Sequence, residues 1–228
     1  MIKRRLTAIT YWIVWFVGHK YILKNWNLTT INVDNIPKKG PVILAANHLK
    51  VIDSPLLAIS TNFPPRRVTF LAKSEYFEVK SLKGLIIKLG LNLIGQIPLN
   101  RSSGGEASNG LSEAKKLLLD GGVLGVHVEG TRSPDGKLYE ARSGFVRLAF
   151  DTKATIVPVA ITYDVDSQIN SKHQARVEFG KPLTYDEYKD KHYRQVAKMT
   201  TKEIQKMSGQ KLAGHFAKII SKFVGQND

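Results

Sequence analysis

The chain contains three short, almost unbroken apolar runs: PVILAANH (residues 41–48), GVLGVHVE (122–129) and TIVPVAITYD (155–164). Runs of this length without polar alternation suit strands buried on both faces, the condition of strands in a parallel sheet covered by helices. RRVTFLAK (66–73), QIPLN (96–100) and ARVEFGKPL (175–183) read as further strands. Helix signals separate them. Ser54 followed by Pro55 reads as an N-cap and first helical residue. Glu106 to Asp120 reads as a helix stopped by Gly121 and Gly122. This order predicts an α/β domain: a mixed, largely parallel central sheet flanked by helices.

With 228 residues the chain supports one domain with appendages, and 43% hydrophobic residues are enough for a core. A net charge of +15 calls for an acidic counterpart such as nucleic acid, anionic lipid or a phosphorylated substrate. The absence of cysteine excludes disulfides, thiolate metal ligands and a cysteine nucleophile. The basic residues from Tyr193 to Val224 are spread at helical spacing with few aromatics, which suits a solvated helix face near anionic lipid better than a nucleic-acid arm. SSGGEASNG (102–110) lacks the phosphate-loop pattern and reads as a flexible lead into the following helix.

The chain begins with Lys3, Arg4 and Arg5, followed by an apolar run from Leu6 to Val17 that holds Tyr11, Trp12 and Trp15. A bilayer span needs about 20 apolar residues, so this run is short. No small-residue cleavage site follows it, so the segment is expected to be retained. Three readings stay open: a helix lying in the membrane interface, a short signal anchor, or a helix packed on the protein's own core. The expected organisation is a membrane-associating helix over residues 1–30 and an α/β domain with a basic helical C-terminus over 31–228.

Ligands of open α/β sheets sit beyond the carboxyl ends of strands. NHLKVIDS (47–54) leaves such an end and holds Asn47, His48 and Asp53. Five residues apart on one helix, His48 and Asp53 would point roughly 140° apart; on a loop that turns back before a helix starts at Ser54 they can meet. A carboxylate-held imidazole takes a proton from an alcohol near neutral pH, and no serine is needed if the substrate carries the hydroxyl. A histidine that only satisfies local hydrogen bonds is the alternative. EGTRS (129–133) leaves another strand end, and Arg132 there suits two phosphate oxygens, unless it is a solvated residue of an ordinary turn. His127 reads as a sheet-facing residue from strand alternation, with a second catalytic histidine as the alternative. No histidine spacing suggests a metal site.

NHLKVID resembles the H-x-x-x-x-D motif of the glycerolipid acyltransferase family that includes 1-acylglycerol-3-phosphate acyltransferases. GQIPLNR (95–101) is similar to that family's second block, EGTRS to its third and IVPVAIT (156–162) to its fourth, in the family's order. FLAKSEYF, around Lys73, resembles the stretch between the first two. Leu49 and Lys50 replace a common polar pair, and His127 and Val128 replace the common Phe-Pro; these departures bear on acceptor choice.

The resemblance implies that His48 is the general base, that Asp53 orients it, and that the acceptor hydroxyl attacks an acyl-CoA or acyl-carrier-protein thioester directly. It implies no bound cofactor. It implies that Asn47, Arg101, Glu129, Gly130, Thr131 and Arg132 help place the acceptor, the arginines on its phosphate. Lys73 is a further phosphate contact or a solvated strand-end lysine. The expected reaction is acylation of the sn-2 hydroxyl of lysophosphatidic acid to phosphatidic acid. The alternatives are another lysophospholipid or a glycolipid acceptor, or a non-catalytic basic membrane-binding module. Expected partners are an anionic membrane surface, the lysophospholipid and the acyl thioester, with acyl carrier protein as one donor carrier and no nucleic acid. The expected location is monotopic, on the cytoplasmic face of the cell membrane.

Overall fold

The computed structural model describes residues 2–61, 66–74, 95–99, 104–169 and 172–218, together with positions 85, 88 and 91. Seven strands are found among these residues: β1 (Trp26–Ile31), β2 (Val42–Ala46), β3 (Val68–Lys73), β4 (Ile97–Leu99), β5 (Val123–His127), β6 (Thr155–Ile169) and β7 (Lys172–Phe179). They form one sheet in the order β1-β7-β6-β2-β5-β3-β4. Every neighbouring pair is parallel except β6 and β7, which are antiparallel. The expected mixed, largely parallel sheet is the one found.

Strand periodicity divides the core into two layers. Ile43, Ala45, Leu124, Val126 and Ile156 face one side, where Ala114, Leu118, Phe145, Val146, Val196 and Ile204 cover them. Those covering residues come from α3 (Gly104–Leu119), α4 (Gly144–Thr152) and α6 (Tyr193–Ser208). Val42, Leu44, Ala46, Val123, Val157 and Val159 face the other side, against Ile22 of α1 (Ile2–Asn25) and Leu56 and Leu57 of α2 (Asp53–Ser60). A short α5 (Tyr185–Tyr188) precedes α6. All five residues of β2 are fully buried, so this strand is enclosed on both faces, as its unbroken apolar run requires.

Several boundaries differ from the sequence expectation. The first helix ends at Asn25, and Trp26 to Ile31 form an edge strand beside β7, so residues 26–30 belong to the sheet. The strand escaped notice because its residues are only partly buried and carry no apolar run. Helix α2 begins at Asp53, two residues before the expected Pro55, and its N-cap position is Ile52 with no side-chain cap. The lead expected to be flexible is helical from Gly104 onward. The basic helix stops at Ser208, where Gly209 takes a left-handed conformation (φ 70°), and residues 209–218 continue as a non-helical segment. The apolar segment 81–95 lies outside the described residues except at positions 85, 88, 91 and 95.

Helix α1 resolves part of the choice among its three readings. Tyr11 and Ile22 are buried against the protein, whereas Ile13, Phe16, Val17 and Tyr21 are exposed. At about 100° per residue, positions 11 and 22 share a face and positions 13, 16, 17 and 21 share another. One face therefore packs on the core and another apolar face does not. Among the described residues, no helix is long and apolar enough to cross a membrane.

Candidate active site

Parallel pairing sets Ala46, the last residue of β2, opposite His127 of β5 and Val159 of β6. The loop after β2 thus leaves the carboxyl edge of the sheet between two other strand ends. Asn47 extends the ladder by a further rung through its side chain. Its Nδ2 donates to the Ile161 carbonyl at 2.9 Å and its Oδ1 accepts from the Ile161 N–H at 2.7 Å. Nδ2 also donates to Gln210 Oε1 at 2.7 Å.

Beyond Asn47 the loop closes on itself through Asp53. His48 Nδ1 lies 2.8 Å from Asp53 Oδ2, which also accepts from the main-chain N–H groups of Leu49 (2.6 Å) and Lys50 (2.9 Å). The Tyr163 hydroxyl donates to Oδ1. Asp53 is fully buried, whereas the His48 side chain is 20% exposed. Burial alone would raise the Asp53 carboxyl. The hydrogen bonds from His48 and Tyr163, the neighbouring His127 and the Lys50 N–H more than offset that and hold it below the usual carboxylate range. Its place in the first turn of α2 adds the favourable end of the helix dipole. Burial, then the Asp53 charge, pushes the Tyr163 hydroxyl well above its ordinary value, so it stays a proton donor. An ionised Asp53 requires the hydrogen on His48 Nδ1, which leaves the Nε2 lone pair as the ring's proton acceptor.

The EGTRS segment holds the same histidine by its backbone. Glu129 Oε1 accepts from the His48 N–H at 2.8 Å, and the Ser133 N–H donates to the His48 carbonyl at 2.8 Å. Glu129 Oε2 accepts from the Tyr139 N–H at 2.9 Å. Gly130 has φ +77°, and a Cβ there would stand 2.9 Å from Arg142 Cδ, so this tight turn needs glycine. Burial raises the Glu129 carboxyl to about 7 against the pull of the Tyr139 and His48 N–H groups; the Asp53 and Asp135 charges push the same way as burial.

The expected site residues divide by exposure. His48 and Asp53 meet, with Asp53 inside the first turn of α2 instead of on the loop. Asn47 and Glu129 are both fully buried with their polar atoms engaged. They brace the His48 loop. Thr131 is half-buried and Arg132 is exposed on the same turn. Lys73 ends β3, paired with Leu99; Arg101 lies outside the described residues.

His127 ends β5 on the face that strand alternation gives it, the side of Ala46 and Phe70. There its ring lies parallel to that of His48, with centroids 3.8 Å apart and 11° between planes. His127 Nδ1 is 2.8 Å from the Asn47 carbonyl and Nε2 is 2.9 Å from Ser54 Oγ. Alternation gives the face but cannot show that the His48 ring lies on that face as well. Tyr163 was also missed; no spacing in the sequence ties it to Asp53, 110 residues away. Ligand atoms of His48, Asp53 and His127 all lie within 4.8 Å of one another, a spacing a metal ion can use. The parallel rings direct their in-plane lone pairs side by side, and both Nδ1 atoms face acceptors. The group is better suited to moving a proton than to holding a cation.

A largely parallel α/β sheet with a buried-carboxylate, part-exposed imidazole pair at its carboxyl edge defines a class of proton-transfer site. Residues 27–162 match the sequence model of the family described as Acyltransferase. That stretch is more than half of the chain, which belongs to the acyltransferase family. The chain is 30% identical over 155 residues to a probable 1-acyl-sn-glycerol-3-phosphate acyltransferase of Mycoplasma genitalium, covering 66% of this chain and 54% of that protein. It is 30% identical over 148 residues to the 1-acyl-sn-glycerol-3-phosphate acyltransferase of Borreliella burgdorferi, covering 65% and 53%. The chain spans about half the length of these curated relatives. Its fold is similar to that of the crystal structure of the 1-acyl-sn-glycerophosphate (LPA) acyltransferase, PlsC, from Thermotoga maritima. The TM-score is 0.66 at 20% identity, over 90% of this chain and 82% of that one.

Glu129 supplies a stability test. Its folded value of about 7 exceeds the ordinary 4.5. The folded state therefore binds the proton more tightly, a stabilisation fully present below about 4.5 and lost as pH rises through about 7. Glu129→Gln cannot titrate. The melting temperature of the wild type should fall relative to that of the variant between about pH 4.5 and 7, with a constant difference at higher pH. Parallel curves across that window would show that Glu129 titrates as an ordinary carboxyl.

Proposed function

We propose that this chain transfers a fatty acyl group from acyl-CoA or acyl-carrier-protein to the sn-2 hydroxyl of lysophosphatidic acid, giving phosphatidic acid. The observation that carries this reading is the 2.8 Å contact from His48 Nδ1 to the buried Asp53, with the histidine itself part-exposed. The relatives' names supply the acceptor and product. In the proposed step, His48 Nε2 takes the hydroxyl proton as the oxygen attacks the thioester carbonyl carbon. The C–O ester bond forms, the C–S bond breaks, and the imidazolium returns its proton to the departing thiolate. Asp53 keeps the Nδ1 hydrogen in place and offsets the charge that develops on the ring. Exposed Arg132 on the neighbouring turn supplies positive charge for the acceptor phosphate, and Lys73 and Arg101 are the further cations that the motif resemblance offers for it.

We also propose that the chain sits on the cytoplasmic face of the cell membrane. The exposed stripe of Ile13, Phe16, Val17 and Tyr21, with Lys20 4.5 Å above the Phe16 ring, fits an interfacial helix that keeps its other face on the protein. The overall charge of +15 favours anionic lipid.

The test is transfer of labelled oleoyl chains to a panel of lysolipids, with donor supplied as CoA and as carrier-protein thioester. His48→Ala should lower transfer to lysophosphatidic acid by roughly 10²–10⁴-fold without unfolding the chain; full activity in that variant would remove the mechanism. Arg132→Ala should raise the acceptor KM roughly ten- to a hundredfold, as loss of a charge-assisted contact of about 1.5–3 kcal/mol does. An unchanged KM would take Arg132 out of the site. For the membrane, the double substitution Phe16→Ser with Tyr21→Ser should reduce flotation with vesicles containing phosphatidylglycerol. It spares Tyr11 and Ile22, so unaltered flotation would assign the helix to the core alone.

A further inference from the structure

Two imidazoles lie face to face at the centre of the site, and the proposed reaction uses only one. His127 has its Nδ1 assigned by its partner. The Asn47 carbonyl can only accept, so the atom 2.8 Å from it, Nδ1, carries the hydrogen. In the neutral ring Nε2 is then an acceptor, and the Ser54 hydroxyl donates to it at 2.9 Å. Both contacts come from the His48 loop and the helix that follows it. The ring is thus clamped to the segment whose histidine it touches. Phe70 lies along its own stacking line, with centroids 6.3 Å apart and 20° between planes.

We propose that His127 is a positioning residue: its ring is a wall that fixes the plane of His48 and supports the imidazolium formed when His48 takes the acceptor's proton. The inference rests on His48 being that base. Rotation about the last side-chain bond of a histidine is soft. The Asp53 contact anchors one edge of the His48 ring but does not by itself fix the ring's tilt about that edge. A parallel ring at 3.8 Å fills the space into which His48 would turn. The Nε2 lone pair lies in the ring plane, so holding the plane aims the lone pair at the hydroxyl. The face of a neutral aromatic ring also attracts a neighbouring cation. With Nε2 occupied as an acceptor for Ser54, His127 presents such a face while the proton passes from hydroxyl to His48 and on to the thiolate. His127 itself gains and loses nothing.

The expected consequence falls on turnover and not on acceptor binding. In the acyl-transfer assay, with the full chain, His127→Ala should lower kcat roughly 10- to 100-fold, the scale of a misplaced reacting group, with acceptor KM within about twofold of wild type. His127→Phe keeps an aromatic wall without the two hydrogen bonds and should recover most of the loss. If His127→Ala fails to fold by circular dichroism, His127→Leu replaces it as a side chain of similar bulk without a ring face. Wild-type kcat in His127→Ala or His127→Leu, a loss confined to KM, or a His127→Phe variant no better than either would each overturn the proposal. Imidazole nitrogen NMR reads the same point without substrate: the His48 ring signals should be sharp in wild type and His127→Phe and broadened in His127→Ala or His127→Leu. Equal line widths throughout would also overturn it. Absence of transfer by the wild type would count against the acyl-transfer reading instead, and the line-width comparison would then decide whether the wall exists.

Discussion

Everything at the carboxyl edge of this sheet depends on a buried carboxylate. Removing Asp53 from water carries a desolvation cost of several kcal/mol, and the loop is shaped to offset it. Four donors converge on its two oxygens: the His48 ring, two consecutive main-chain N–H groups and the Tyr163 hydroxyl. The two main-chain donors can reach the carboxylate only if residues 49–52 fold back over the first turn of α2. The same turn brings His48 to the acid across five residues of sequence. The loop's conformation and the proposed base's orientation therefore have one cause.

A loop held only at its acid would still be free to swing as a unit. The rest of the fold removes that freedom by fastening its first residues from both sides. On the β6 side, Asn47 takes both main-chain groups of Ile161; on the β5 side, Glu129 and Ser133 take the N–H and carbonyl of His48. These contacts require β2 between β6 and β5 in the observed register, and that placement follows from the unbroken apolar run that buries β2 on both faces. Sheet order thus reaches the His48 loop through side chains that brace it.

This division explains which parts were readable in the sequence. Strands β2, β3, β5 and β6 are visible as apolar runs because burial on both faces leaves no alternation to confuse them. Edge strand β1 has no such signature. The meeting of His48 and Asp53 follows from their placement around a strand-to-helix turn, although Asp53 lies inside the helix and not before it. The bracing contacts of Asn47 and Glu129 are not legible in the sequence for a physical reason: a polar residue in a motif looks the same whether it braces a loop or faces a ligand. Burial distinguishes the two, and burial depends on contacts such as Asn47 to Gln210, 163 residues away. Alternation gives His127 its face but not its neighbour, because the His48 ring reaches it from another loop.

Gln210 shows that the site is not complete within the segment shared with the family. The family match ends at residue 162, yet the non-helical stretch after α6 returns to the EGTRS region. The Leu138 N–H donates to the Lys211 carbonyl and the Ala213 N–H to the Leu138 carbonyl, both at 2.9 Å, and Arg142 Nη2 donates to the Ala217 carbonyl at 2.8 Å. Gln210 spans between them, accepting from Asn47 and donating to the Gly136 carbonyl at 2.8 Å. The tail therefore ties the loop before His48 to the turn after Glu129, the two pieces that hold the histidine's backbone. A positive-φ glycine at 209 ends the helix where this crossing must begin. The shared motifs supply the proposed base and its acid, and a segment outside them helps hold the loop that carries both.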